Sequence, residues 1–275
     1  MVRKLAAWLS GIVVVCIVAA PLQAQDHDHH HEEEVDGHHH HGLHFAHPLI
    51  GESITPDTKV RLEHEFEHFR HDEGHGQTFT VEGEYAFVPG LSVEIDVPVG
   101  VVNPKEGSQQ SGLDNIGVAL KLTNDAFAEQ GVLLGYGLEL GLPTGTDSKG
   151  IGSDHILRYE PYLDAGYKKD AIEVSGFARF GIPTRQKTGE EVDTEFEYNV
   201  SGLYHVTPHV QGLLELDGGR TLSGGEIESG ANVTPGIKIR PVADGHLILG
   251  FGVSVPVNNS SEFDVRTHFS AFYHF

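Results

Sequence analysis

Ten imidazoles fall within twenty-one residues near the start of this chain: His27, His29, His30, His31, His38, His39, His40, His41, His44 and His47. Asp26, Asp28, Glu32, Glu33, Glu34 and Asp36 are interleaved with them. Neutral imidazole beside carboxylate is the donor set of zinc, copper, nickel and cobalt. In a low-complexity tract these donors make many partial sites and no fixed geometry, which suits reversible capture better than a structural centre. The competing reading is a solvated, disordered tail. His64, His68, His71 and His75 form a second, looser group.

A second constellation is charged. If the chain beyond residue 58 alternates as strands, one face carries Glu63, Glu65, Glu67, Glu82, Glu84, Glu94, Asp96, Glu139, Glu160, Asp164, Glu173, Glu195, Glu197, Glu215, Asp217 and Asp264. The same face carries Arg61, Lys121, Arg158, Arg179, Lys238, Arg240 and Arg266. Sixteen acids against seven bases would make an inward-facing set cation-favouring. The alternative is a packed ion-pair network that fills a narrow barrel. A hydrolase would need a nucleophile within reach of an oriented base. Ser201 and His205 share one strand and His155 lies on another, but no motif links them, so the expectation is no enzyme and no required cofactor.

The elements that would position these residues are strands. Arg3 and Lys4 precede an apolar run, and Leu22-Gln23-Ala24 offers a cleavage site, so residues 1–24 read as an export signal. Cys16, the one cysteine, lies inside it, which leaves the mature chain without thiol chemistry. Removing Arg3 and Lys4 takes the formal charge from −22 to −24, an acidity that gives no case for nucleic acid as a partner. Residues 25–58 read as a His/Asp/Glu-rich periplasmic segment and connector.

From 59 to 275 apolar and polar residues alternate. Phe79, Val81, Tyr85 and Phe87 interleave with Thr80, Glu82, Glu84 and Ala86, and the pattern resumes after Pro89-Gly90. Twelve strands are expected, the weakest being 59–70, where His64 and His68 would share the apolar face and a barrel-rim place suits them. Most strands are 10–14 residues long, beyond the soluble norm of about 5–6 and enough to cross a bilayer at a tilt. Short turns alternate with longer polar loops, and Tyr85, Phe87, Tyr167, Tyr204, Tyr273 and Phe275 gather at the short-turn side as an interfacial girdle would. In 263–275 the outward set is expected to be Phe263, Val265, Thr267, Phe269, Ala271, Tyr273 and Phe275. The fold class is therefore all-β, an antiparallel transmembrane barrel of the bacterial outer membrane.

One piece recurs at strand ends: Glu94-Ile-Asp-Val-Pro98-Val-Gly100, Glu139-Leu-Gly-Leu-Pro143-Thr-Gly145, Arg179-Phe-Gly-Ile-Pro183-Thr184 and Gly252-Val-Ser-Val-Pro256-Val257. Proline cannot donate to a ladder, so each copy should end regular pairing. With the terminal Phe275, this pattern over 59–275 resembles the transporter-like outer-membrane barrels named for the meta-cleavage pathway of phenol degradation. The resemblance implies outer-membrane lipid and the barrel assembly machinery as partners, the latter through the strand ending in Phe275, and uptake of small aromatic compounds. The residues themselves favour passage of small solutes, with divalent ions captured by the tract as cargo. The rival is a structural or adhesin-like barrel with a blocked lumen.

Overall fold

The computed structural model describes residues 43–184, 193–223, 226–242, 245–258, 261 and 263–275. Thirteen strands run in chain order: β1 (Lys59–Phe69), β2 (Gly74–Val88), β3 (Leu91–Pro104), β4 (Gln110–Leu113), β5 (Gly117–Asn124), β6 (Val132–Gly141), β7 (Arg158–Lys169), β8 (Ile172–Pro183), β9 (Thr194–Thr207), β10 (Val210–Ser223), β11 (Glu226–Ile239), β12 (Leu247–Pro256) and β13 (Phe263–His274). Neighbours pair antiparallel, and β1 pairs with both β2 and β13, so the sheet closes on itself. β4 and β5 both pair with β3 and form two pieces of one stave, giving a closed twelve-stave barrel. The weakly patterned first strand is thus a full stave.

The pleat explains the two faces, because a period of two sends alternate side chains to opposite sides. Leu62, Val81, Leu163, Ile172, Leu214 and Phe251 stand exposed on the outside, Leu163 at 59%. So many exposed large apolar groups on one surface would be an aggregation hazard in water and match a hydrocarbon surround. The six girdle aromatics are all exposed, between 45% (Tyr167) and 58% (Phe275). His64 lies on this outer face, where Gln77 sits 3.2 Å from its Nε2 and Phe79 stacks on the ring at 4.4 Å.

Prolines mark the ladder as expected, with one variation. Pro183 and Pro256 end β8 and β12, and Pro143 lies just past β6. Pro98 instead sits inside β3, opposite the gap between β4 and β5, and its carbonyl accepts the Asp114 N–H at 3.0 Å. Pro161 and Pro235 open gaps of their own: β7–β8 pairing skips from Tyr159 to Tyr162, and β11–β12 pairing skips from Val233 to Gly236.

Two expectations fail at one bulge. The β1–β13 register shifts between His68 and Phe69, so Phe69 faces Phe263. A one-residue slip exchanges the faces. Phe263 is consequently buried under the Arg266 guanidinium, 4.1 Å from its ring, and does not face lipid. Asp264 is exposed, 3.9 Å from Arg70, and does not join the lumen set.

Residues 43–58, whose composition suggests a connector outside the barrel, run inside it. Phe45, Leu49 and Ile54 are each at most 2% exposed. Phe45 and Ile54 cluster with Leu133, and Leu49 and Ala46 with Leu203 and Leu213. The segment enters at the short-turn end, turns near Gly51 against Asn199, and returns to Lys59. The wall is hollowed to receive it. A Cβ at Gly250 would meet Leu49 Cδ2 at 2.5 Å, and one at Gly166 would meet Ile54 Cδ1 at 2.5 Å.

Candidate functional site: a plugged, charge-lined lumen

Most of the lumen side chains fall in two charged layers. Near the short-turn end, Lys59 Nζ lies 2.7 Å from both Glu82 Oε1 and Glu84 Oε2. Lys121 Nζ lies 3.2 Å from Glu94 and 3.5 Å from both Glu84 and Glu52. Arg61 pairs with Glu82 at 3.2 Å and with Glu63. Nearer the long loops, Arg179 faces Glu139 at 2.8 Å, Glu160 at 3.2 Å and Glu197 at 2.6 Å. Arg266 faces Glu65 at 3.3 Å and Glu67 at 2.9 Å, and Arg158 faces Glu195 at 2.5 Å. Asp96 is half-buried, grouped with Glu82 and Glu94. Each of Lys59, Lys121 and Arg179 is shared among several acids, so pairing leaves negative charge over.

The plug, residues 43–58, is held by its backbone. Glu215, fully buried, accepts N–H bonds from Leu49 (2.5 Å), Ile50 (3.1 Å) and Gly51 (3.4 Å), and a fourth from Asn199 Nδ2 at 3.0 Å. Three consecutive amides around one carboxylate form an anion nest, here with the anion on the wall and the nest on the plug. Glu173 accepts the Ala46 N–H at 2.7 Å and Glu84 the Asp57 N–H at 3.2 Å. Conversely, Arg61 donates to the Leu49 carbonyl at 2.6 Å, Lys238 to Pro48 at 3.3 Å, and Lys168 to His44 at 2.8 Å. A segment without strand pairing has its amides satisfied by charged wall groups, which makes burying it tolerable. Beyond the plug tip, Leu49, Ile50, Glu63, Glu65, His268 and Ser270 line a cavity of about 160 Å³.

At the base of the plug, His44 Nε2 lies 3.1 Å and His47 Nε2 2.9 Å from Asp57. Burial pushes the His47 imidazole well below its ordinary value, so it is neutral at physiological pH. Burial alone would raise Asp57, but the two imidazoles against it outweigh that and hold its carboxyl well below the usual range.

Of the ten tract histidines, His27, His29, His30, His31, His38, His39, His40 and His41 lie outside the described residues. Ser201 and His205 do not meet: Ser201 Oγ has no hydrogen-bond partner among the described residues, and His205 is taken up by Glu173 at 2.6 Å. Sequence reasoning missed Lys59, Glu52, Asp57 and Phe272, the last packed inward beneath Arg61 and Lys238 at 4.7 and 4.6 Å. One feature could have pointed to the plug. Gly236, Gly250, Gly252 and Gly166 all sit on inward positions toward the short-turn end, an emptied wall that needs a filler.

No curated protein matches the chain. Among solved structures it is similar to the COG4313 outer membrane channel from Pseudomonas putida F1, at 13% identity and TM-score 0.56, covering 79% of this chain and 94% of that one. It is also similar to the NanC porin, at 8% identity and TM-score 0.52, covering 79% and 98%. At such identities these likenesses speak to the fold. The family model described as "Putative MetA-pathway of phenol degradation" matches residues 49–270, a stretch that runs from inside the plug through most of β13, and the chain belongs to that family.

Proposed function

We propose that this protein is a bacterial outer-membrane channel for small solutes whose passage is controlled by residues 43–58. The observation that carries the reading is the plug itself. It fills the short-turn end of the barrel through hydrogen bonds and side-chain packing, and no strand pairing fixes it there. Such a segment can leave without breaking the wall. The short-turn end is the periplasmic one, as in barrels of this kind, and the His-rich tract then lies in the periplasm. Surplus carboxylate along both charged layers lowers the barrier for cations relative to anions. Divalent ions held reversibly by the tract are the preferred cargo.

The test is conductance in a planar bilayer across a salt gradient. Discrete openings with a cation-favouring reversal potential are expected. Replacing Glu94, Glu139 and Glu173 together by Gln should shift that potential toward anions. Silence over a range of voltages and pH, with no uptake of metal or small aromatics by liposomes, would leave a structural barrel. That second reading draws on the same plug and on the ion pairs beyond it. Uptake of aromatics without metal would assign the lumen to the solutes that the family description suggests.

A further inference from the structure

His44 and His47 count by sequence as the last members of a loose tract, but the fold separates them from it. They lie on the ingoing leg of the plug, and Asp57 lies thirteen residues beyond His44 on the outgoing leg. One ring nitrogen of each histidine and one oxygen of Asp57 all fall within 4.8 Å of one another. His47 is 2% exposed, stacked on Phe272 at 5.2 Å, and among the described residues neither of its ring nitrogens has a hydrogen-bond partner. Its Nε2 is close to Asp57 Oδ2, at 2.9 Å, yet off the hydrogen-bond direction. A neutral buried imidazole aimed at a carboxylate and unsatisfied at both nitrogens is costly unless something joins them. His274 packs 5.1 Å from the same ring, and its own buried Nε2 has no hydrogen-bond partner among the described residues.

We propose that His44, His47 and Asp57 bind one divalent ion of the zinc type, which clasps the two legs of the plug and holds it in the lumen. Two imidazoles and a carboxylate are a zinc donor set, and ligand bonds of about 2.0–2.2 Å in a tetrahedron set donors about 3.3 Å apart. Asp57 Oδ2 lies 2.9 Å from His47 Nε2 and 3.2 Å from His44 Nε2, a little short of that, and the donor atoms all lie within 4.8 Å of one another, an adjustment within reach of side-chain rotation. His44, whose side chain is 42% exposed, leaves the site open to solvent, and a water suits the fourth position. Lys59 nearby is neutralised by Glu82 and Glu84. The other carboxylate-rich group in the lumen, Glu82, Glu94 and Asp96, already has Lys59 and Lys121 as its cations. An ion at the plug base bridges residues 44 and 57, and leaving the lumen with the ion bound would carry both legs out together.

The capture reading supplies only the source of the ion, and the site stands on its own geometry. The test uses the full chain with the eight histidines from His27 to His41 replaced by Asn. Zinc titration should give one ion per chain, lost in His47→Asn and Asp57→Asn and kept in His209→Asn. No bound ion, or binding that survives both site substitutions, overturns the site. X-ray absorption on the zinc-loaded parent guards against misfolded variants: two imidazoles and a carboxylate are expected, and a different donor set overturns the assignment. Zinc should also slow proteolysis within residues 43–58, and unchanged cleavage overturns the clasp. None of these readouts uses conductance, so a failed channel reading and a failed metal site are told apart.

Discussion

Replacing Glu215 by Gln tests the plug at its strongest anchor while keeping the side-chain shape. In the native lumen one carboxylate oxygen accepts Leu49 N–H and the other accepts Ile50, Gly51 and Asn199. Hydrogen bonds to a charged group contribute about 1.5–3 kcal/mol each, and neutral ones roughly half of that. Gln retains one oxygen, so its NH₂ must face at least one backbone N–H, and a buried donor left without an acceptor costs about 1–3 kcal/mol. Together these disfavour the docked plug by about 3–5 kcal/mol, or about two to three and a half powers of ten in its docking equilibrium. Single-channel recording should show a higher open probability in Glu215→Gln. Peptide mapping after brief proteolysis should show new cuts within 43–58 while the barrel stays intact. Equal open probability together with equal protection of 43–58 would refute the claim that Glu215 holds the plug.

Gly250→Val places a branched side chain where even a Cβ would meet Leu49 at 2.5 Å, an overpacking cost of about 1–3 kcal/mol. It should displace the plug without changing any charge, read as the same proteolytic sensitivity with unaltered ion selectivity. Arg179→Met strands Glu139, Glu160 and Glu197 together in a partly exposed cluster, so the loss should fall below the about 3–5 kcal/mol of a fully buried pair. The temperature of the barrel's heat-induced shift in gel mobility should fall. Removing residues 25–41 should lower the zinc stoichiometry measured by calorimetry, and an equal stoichiometry would exclude the tract as a capture site. In every case the comparison is with the unaltered chain in the same detergent.

The wall was legible because its physics is local. Alternation is set by the pleat, and Glu82, Glu84, Glu94 and Lys121 therefore come out inward from their parity alone. The prediction fails where parity is reset. The bulge at His68/Phe69 turns Phe263 in and Asp264 out, and a single extra residue leaves no mark in composition. The plug was hidden for a different reason. Residues 43–58 have no period, and their partners Glu173 and Glu215 lie 127 to 166 residues away in sequence. Asp57 comes back to His44 only through the turn near Gly51, whose contacts are with the distant wall residues Asn199 and Glu215, so no local pattern joins it to the histidines.

The point where plug and wall meet has a consequence for how the barrel is made. The Phe275 N–H is bonded to the Thr58 carbonyl at 3.1 Å, and β13 zips along β1 from there. The seam that closes the cylinder is therefore stitched at the exit of the plug. Contacts spanning so much sequence are late and slow to form, because ordering the intervening chain is costly. Glu173 and Glu215 must already stand in β8 and β10 before residues 43–58 have those carboxylates to bind. Closure of the wall and exit of the plug therefore share one point, at Thr58 and Phe275. A cylinder that zips first with residues 43–58 outside leaves Glu173 and Glu215 without their plug amides, and the segment must then enter through the mouth.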